Sequence, residues 1–504
     1  MKRLWMLLLV VGLAFAWAQS DQTLRVLLSS TLTTLEPQET TDTDSAAVRY
    51  QIYNGLVRMS EAGQPTPDLA ESWQISEDGT VYTFQLRSGV TFHDGTPLNA
   101  EAVKASFERL IAEDRDTSAS NFFKPVIEDI AAVGDLSVQF TLKEPFAPFV
   151  NHLGHPAGHV ISPAAAQSFG AALGENPVGT GPYKFVEWVR GERVVLERFD
   201  GYFGGTPALA GIEYRVVPEA ATRVALLETG EADVILRISP DEAERLEGAA
   251  GIDLITTPTA RTIFMAINTT RPPFDDVRVR QAINYAVDVQ AIVSAIFGEG
   301  VPLSDAPLAP QVFGYVSTFS YGYDSDRALA LLADADLEPG DITINLWSPN
   351  GRYVQDALVA QAVGQQLDEF GFDVDVRLFG DFREYIDVAF VEDRGDLMLL
   401  GWAPSTLDAE GGLFQILHGD RANLFANNSG FANPVFDALM NRARSVSDPV
   451  ARVNLYGQAQ AVAMAEAPWL FLYVQPVITG VTEGVSDVVI LPSEHLYLRN
   501  AKKE

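Results

Sequence analysis

The sequence predicts an α/β fold of more than one lobe, and three observations lead there. Helical and strand periodicities alternate along the whole chain, which favours sheets covered by helices over an all-α or all-β architecture. The chain has 504 residues, enough for about two to four lobes at roughly 100–200 residues each. No low-complexity linker or long charge run separates the periodic segments. The lobes are therefore expected to interleave rather than to follow one another like beads.

The elements follow in order. Lys2 and Arg3, the apolar run 4–15 and Ala16-Trp17-Ala18 form the charged start, apolar core and small-residue cleavage site of a secretory signal peptide, residues 1–18. Its core is too short to span a bilayer comfortably. Residues 24–30, rich in Leu and Val, read as a buried strand. Segment 81–87 alternates, with Tyr82, Phe84 and Leu86 on one face, and segment 137–142 does the same with Val138, Phe140 and Leu142. Asn99 is placed to cap a helix whose Val103, Phe107, Leu110 and Ile111 recur at helical spacing. A helix over 220–229 stops at Gly230, and the strand-like run 232–238 follows. Asp275 or Asp276 opens one long helix through Phe297. A helix over 353–370 ends at Gly371, and 372–379 alternates as a strand. Asp448-Pro449 supplies a cap and first-turn proline for a helix through Glu466. Pro468 ends it before the apolar strand 469–474.

Composition removes several classes of function. With 35 Lys+Arg against 67 Asp+Glu the formal charge is −32, which repels nucleic-acid phosphates, so no nucleic-acid partner is expected. The chain has no Cys, which excludes disulfides, thiolate-ligated metals and thiol nucleophiles. It also excludes a lipid-modified cysteine after signal cleavage, so a periplasmic location is expected, with free secretion as the alternative. His152, His155 and His159 are the nearest thing to a metal cluster, but Gly154, Pro156 and Gly158 argue against the helix their spacing needs. His93 sits at a turn and reads as structural. The glycines of VGTGPYKF, 178–185, fit neither a dinucleotide fingerprint nor a phosphate loop, and read as a tight crossing between lobes. No GxSxG, HExxH or SxxK pattern stands out, so a secreted hydrolase has no motif behind it and no cofactor is called for.

A series of local signatures runs through the chain instead. YNGLVR (53–58), LAESWQISEDGTVYTFQLRSGV (69–90), FHDGTPLNAEAV (92–103), GTGPYKF (179–185), FMAINTTRPPFDDVRVRQAINYAVD (264–288) and EAPWLFLY (466–473) occur in that order. Together they closely resemble the peptide-binding proteins of bacterial ABC importers, the extracytoplasmic family that includes dipeptide, oligopeptide, glutathione and nickel receptors. The resemblance implies a two-lobe, type II periplasmic-binding-protein fold with an extra small α/β domain inserted in the first lobe. It assigns lobe one to 19–48, 178–262 and 474–504, the inserted domain to 49–177, and lobe two to 263–473. It also implies a monomeric receptor that hands its ligand to ABC permease transmembrane subunits. The ligand is expected to be a short peptide or peptide-like solute, with opines and metal chelates open within the same family.

Two segments of lobe two are the expected ligand wall. A turn at Asn350-Gly351 presents Arg352 and Tyr353 at a helix start. Arg352 can grip a carboxylate bidentately, Tyr353 can stack or donate a hydrogen bond, and Asp356 can orient Arg352. The apolar run 397–400 ends at Gly401-Trp402, where ligands meet α/β sheets. Many dipeptide and oligopeptide receptors carry an Asp three residues after this Trp, which holds the peptide ammonium; here the position is Ser405. The run WAPSTLDAE is instead similar to the glutathione-binding members. Ser405 and Thr406 are then hydrogen-bond donors, and Asp408 or Glu410 can take an ammonium. In lobe one, the loop after the first strand brings Thr33 and Thr34 towards the cleft, with Thr43 and Asp44 further on. Trp73 and Tyr183 read as packing residues.

Overall fold

The computed structural model describes residues 22–40, 42–388, 395–421, 427 and 429–504. The expected signal peptide, 1–18, lies outside them. Among the described residues no helix is long and apolar enough to cross a membrane.

Three sheets organise the chain. The first has seven strands in the order Ile252–Thr257, Val477–Thr482, Val234–Ile235, Thr23–Leu28, Gly211–Val216, Arg193–Arg198 and Tyr183–Val189. Thr23–Leu28 pairs in parallel with both of its neighbours. Its Leu24, Val26 and Leu27 are completely buried, as a central parallel strand covered on both faces requires. The second sheet has five strands, in the order Asp373–Phe379, Thr343–Pro349, Leu397–Trp402, Thr262–Ile267 and Trp469–Val474. The third is a four-stranded antiparallel sheet of Ala70–Ile75, Val81–Leu86, Ser137–Leu142 and Ile127–Ala132. It has its own core, where Tyr82, Phe84 and Phe140 meet Val103 and Phe107 of the helix Ala100–Ile111. The fold is thus two α/β lobes with a smaller α/β domain set into the first.

Several local expectations differ in detail from the structure. The long helix expected from Asp275 or Asp276 is two helices, Val277–Ala286 and Val289–Phe297. Asp288 divides them, because its carboxylate accepts from the Ala291 N–H and caps the second helix. The helix expected from 353 begins at Asp356. That carboxylate accepts from the N–H groups of Gly351, Arg352, Tyr353 and Ala357 and so holds 350–355 as a loop. The strand expected over 232–238 shortens to Val234–Ile235. The domain boundary expected at 48 and 49 falls inside the helix Thr43–Ile52.

The chain passes between the two large sheets twice, at 258–261 and at 475–476. The two passages are bonded side by side. Gln475 N–H donates to the Arg261 carbonyl at 2.9 Å, and Thr259 Oγ1 donates to the Gln475 carbonyl at 2.5 Å. The glycines of 178–185 do mark a close crossing: a Cβ on Gly181 would lie 2.4 Å from the Gln51 carbonyl oxygen, at the end of the helix Thr43–Ile52. Tyr183 is fully buried in the first lobe's core, and Trp73 packs on that of the inserted domain.

Candidate functional site

Strand direction determines what gathers between the lobes. In the first sheet Thr23–Leu28, Val234–Ile235 and Ile252–Thr257 all end at one edge. In the second, Thr343–Pro349, Asp373–Phe379 and Leu397–Trp402 end at the edge where Thr262 and Val474 lie. The passages join these two edges, so each sheet presents its strand ends to the other, where α/β proteins hold ligands.

From lobe one this edge supplies Ser29, Ser30, Asp44, Arg237 and Glu494. Ser30 Oγ donates to Asp44 Oδ2 at 2.5 Å, and Arg237 Nη1 stands 3.1 Å from Asp44 Oδ1. Arg237 Nη2 also lies 3.8 Å from Glu494 Oε2. Arg261, in the first passage, grips Glu494 with two nitrogens, Nε at 2.5 Å and Nη2 at 3.0 Å. Its Nη1 donates to the Gly401 carbonyl at 3.2 Å, which ties the C-terminal segment of lobe one to the ligand-facing end of the lobe-two sheet. Burial pushes the carboxyls of Asp44 and Glu494 up, but the surrounding guanidiniums outweigh it and hold both below the usual range. Arg352, from lobe two, adds to the positive charge that holds both carboxyls down, and its guanidinium and that of Arg261 each lie 5.7 Å from the Tyr353 ring.

Arg352 is exposed on its loop, over the rings of Phe382 at 5.0 Å and Tyr353 at 5.7 Å. Tyr353 is buried and donates from its hydroxyl to the Gly401 carbonyl at 3.2 Å. Gly401 has to be glycine for this packing, since a Cβ would sit 2.8 Å from the Tyr353 ring and 2.6 Å from Ile263. Asp356 supports the loop through backbone groups, as described above, and burial pushes its carboxyl up.

The other expected site residues are held apart from this cluster. Trp402 is half-buried against the lobe-two core, and its Nε1 donates to the Gly411 carbonyl at 3.0 Å. Ser405 is half-buried beyond it. Thr406 is buried, its carbonyl accepting from Asn151 of the inserted domain at 3.2 Å. Asp408 is completely buried; Arg452 Nη2 donates to one oxygen at 2.6 Å, and Tyr456 and the Glu410 N–H donate to the other. Those partners occupy the carboxylate that the sequence offered to a ligand ammonium. Glu410 is likewise engaged, with His152 Nε2 at 3.1 Å and Arg444 Nε at 3.3 Å. Thr33 is exposed and donates its N–H to Ser45 Oγ, while Thr34 Oγ1 accepts from the Glu36 N–H. Thr43 is the first residue of its helix, capped by Asp42.

The three histidines lie near one another but are engaged with separate partners. His152 stacks on Phe122 at 4.1 Å, His155 Nδ1 accepts from the Ala157 N–H, and His159 meets the edge of Tyr50 at 5.0 Å. Burial pushes His159 down to about 3. Among the described residues no group of three or more His, Asp or Glu is arranged to hold a metal. His93 Nε2 lies 2.9 Å from the Gly181 carbonyl, part of the tight crossing.

Arg237, Arg261, Phe382 and Glu494 escaped sequence reading. Arg237 alone had a local signal, as a cation at the end of an apolar strand run, where α/β sheets place functional groups.

Comparison with known proteins matches residues 64–423 to the family of bacterial extracellular solute-binding proteins, family 5. This chain belongs to that family. The glutathione-binding protein GsiB of Pectobacterium atrosepticum is 35% identical over 483 residues, covering 94% of this chain and 93% of the relative. The dipeptide-binding protein of Pseudoalteromonas sp. SM9913, solved with Met-Leu, superposes with a TM-score of 0.83 at 26% identity, covering 96% of this chain and all of that one. The substrate-binding protein CtaP of Listeria monocytogenes has the same fold, with a TM-score of 0.87 at 23% identity, covering 95% of this chain and 99% of that one. The family is one of solute receptors, and the two-lobe architecture is that of its solved members.

Proposed function

We propose that this protein is the periplasmic receptor of an ABC importer, and that it captures glutathione or another short peptide between its lobes and passes it unchanged to the permease. The observation that carries this reading is the charged lining of one cleft by residues from both lobes: Asp44, Arg237 and Glu494 on one side, Arg261 at the passage, Arg352 on the other. A short peptide carries an ammonium and carboxylates, and this lining offers a partner of opposite sign to each.

In this reading Arg352 takes a carboxylate with its planar fork, already oriented by the rings of Tyr353 and Phe382. Asp44 faces the ammonium, and the Phe382 ring beneath Arg352 supplies an apolar side. Ligand that touches both lobes binds the closed form better than the open one, and that difference is what drives closure. The receptor works as a monomer and breaks no bond. The likeness to glutathione-binding GsiB over nearly the whole chain supports glutathione as the first ligand to test.

The test is titration calorimetry on the mature protein with glutathione and with Met-Leu, together with small-angle scattering. The expected result is one site, with a dissociation constant near micromolar, about −8 kcal/mol, and a smaller radius of gyration on binding. Mass spectrometry should return the ligand intact. A protein that takes up neither solute and keeps its dimensions overturns the reading.

A further inference from the structure

We propose that the cleft selects a peptide with one more carboxylate than ammonium, and that Arg237 is the residue that sets this preference. The inference rests on the reading of the cleft as a peptide site. Arg237 follows the short strand Val234–Ile235 with a φ of 58°, a left-handed conformation that long side chains avoid. That backbone carries a half-buried guanidinium between two carboxylates, 3.1 Å from Asp44 and 3.8 Å from Glu494, with Ser29 Oγ at 3.5 Å.

The charges of this lining do not cancel. Glu494 is matched bidentately by Arg261, and Asp44 is matched by Arg237. Among the described residues Arg352 has the rings of Tyr353 and Phe382 beneath its guanidinium and no ion pair, while the Asp356 carboxylate accepts from the N–H groups of the loop. Among the described residues three guanidiniums thus face two carboxylates on this lining. A zwitterionic dipeptide leaves one cation unmatched as the cleft closes and loses water, whereas a ligand of charge −1 leaves none. An ammonium that reaches Asp44 also releases Arg237 from it, and the freed fork then stands within reach of a second carboxylate. The ligand class is a small peptide with two carboxylates and one ammonium, and γ-glutamyl peptides have that composition.

The experiment compares glutathione with its glycyl ethyl ester, nearly equal in size and lacking one negative charge, on the full mature chain. Calorimetry on the wild type should favour glutathione by about 10-fold or more. Arg237→Asn removes the charge while placing at this φ a residue that tolerates it. It should weaken glutathione by about 10-fold and the ester by less than about 3-fold, so that the preference collapses. Arg237→Lys keeps the charge and should keep most of the preference. Equal wild-type affinity for the two ligands overturns the inference, whatever the variants do, and so does an undiminished preference in a folded Arg237→Asn. A wild type that binds neither of these nor Met-Leu overturns the peptide-site reading itself, an outcome distinct from tight binding without preference.

Discussion

Asp408 separates two accounts of the segment after Trp402, and replacing it with Ala has a cost the structure allows to be worked out. The carboxylate is completely buried and the Arg452 side chain is 7% exposed. Removing the acid strips Arg452 of a 2.6 Å ionic hydrogen bond and leaves it against Tyr456 and the Phe313 ring. Breaking one side of a buried ion pair costs about 3–5 kcal/mol, because the remaining charge stays desolvated. The Tyr456 hydroxyl loses its acceptor as well, for about 1 kcal/mol. Relaxation of the guanidinium towards water offsets part of this, which leaves about 4 kcal/mol. For a cooperative unit of about 200 residues, that lowers the melting midpoint by roughly 8–16 °C. The assay is thermal unfolding followed by circular dichroism, with glutathione calorimetry at a temperature where the variant is folded. A double-mutant cycle completes it: Asp408→Ala with Arg452→Met should lose much less than the sum of the single changes. An Asp408→Ala protein that melts with the wild type yet binds ligand far more weakly would refute this reasoning and return the residue to the ligand.

Three further outcomes are expected. Arg352→Ala should weaken the ligand by about 2 kcal/mol, roughly 30-fold by calorimetry, with little change in melting temperature, because the side chain is exposed. Gly401→Ala should displace the Tyr353 ring, 2.8 Å from the new Cβ, and cost about 1–3 kcal/mol in urea unfolding. Asp44 and Glu494 are held below their ordinary values in the folded state, so in that window the unfolded chain binds more protons and stability rises with pH. Their contribution is present in full above the ordinary values, 3.8 and 4.5, and is lost as pH falls through the lower folded values. A melting curve against pH from 6 downwards should therefore fall more steeply in wild type than in Glu494→Gln.

Much of this architecture was legible in the sequence, and the exceptions have physical causes. Trp469–Val474 and Ser137–Leu142 coincide with their expected spans, because local periodicity and flanking breakers agree there. Asn99 caps its helix as its position suggests, accepting from the Ala102 N–H. The helix start at 353 was misplaced because a carboxylate downstream, Asp356, pulls four N–H groups into a loop, which periodicity does not register. Arg352 and Tyr353 stand out in the sequence by their turn, and in the structure Arg352 is exposed on that loop while Tyr353 is buried against the Gly401 carbonyl. Asp408 and Glu410 carry the charge a ligand ammonium needs, yet their partners in the fold, Arg452, His152 and Arg444, come from segments far away in the chain. An acid's partner is a property of the fold and not of its neighbours in sequence. For the same reason the Arg261–Glu494 pair, 233 residues apart, had no local trace.

The bonding of Thr259 and Arg261 to Gln475 has a mechanical corollary. Two strands of one covalent chain, fastened to each other at the same point, form an axle with a single line of rotation and little freedom to shear or to spread. A protease that nicked either strand would leave the other in place with its fastening, so the two halves would remain one particle. On the proposed closing motion, the arc would stay the same, because the bearing belongs to the pair and not to either thread.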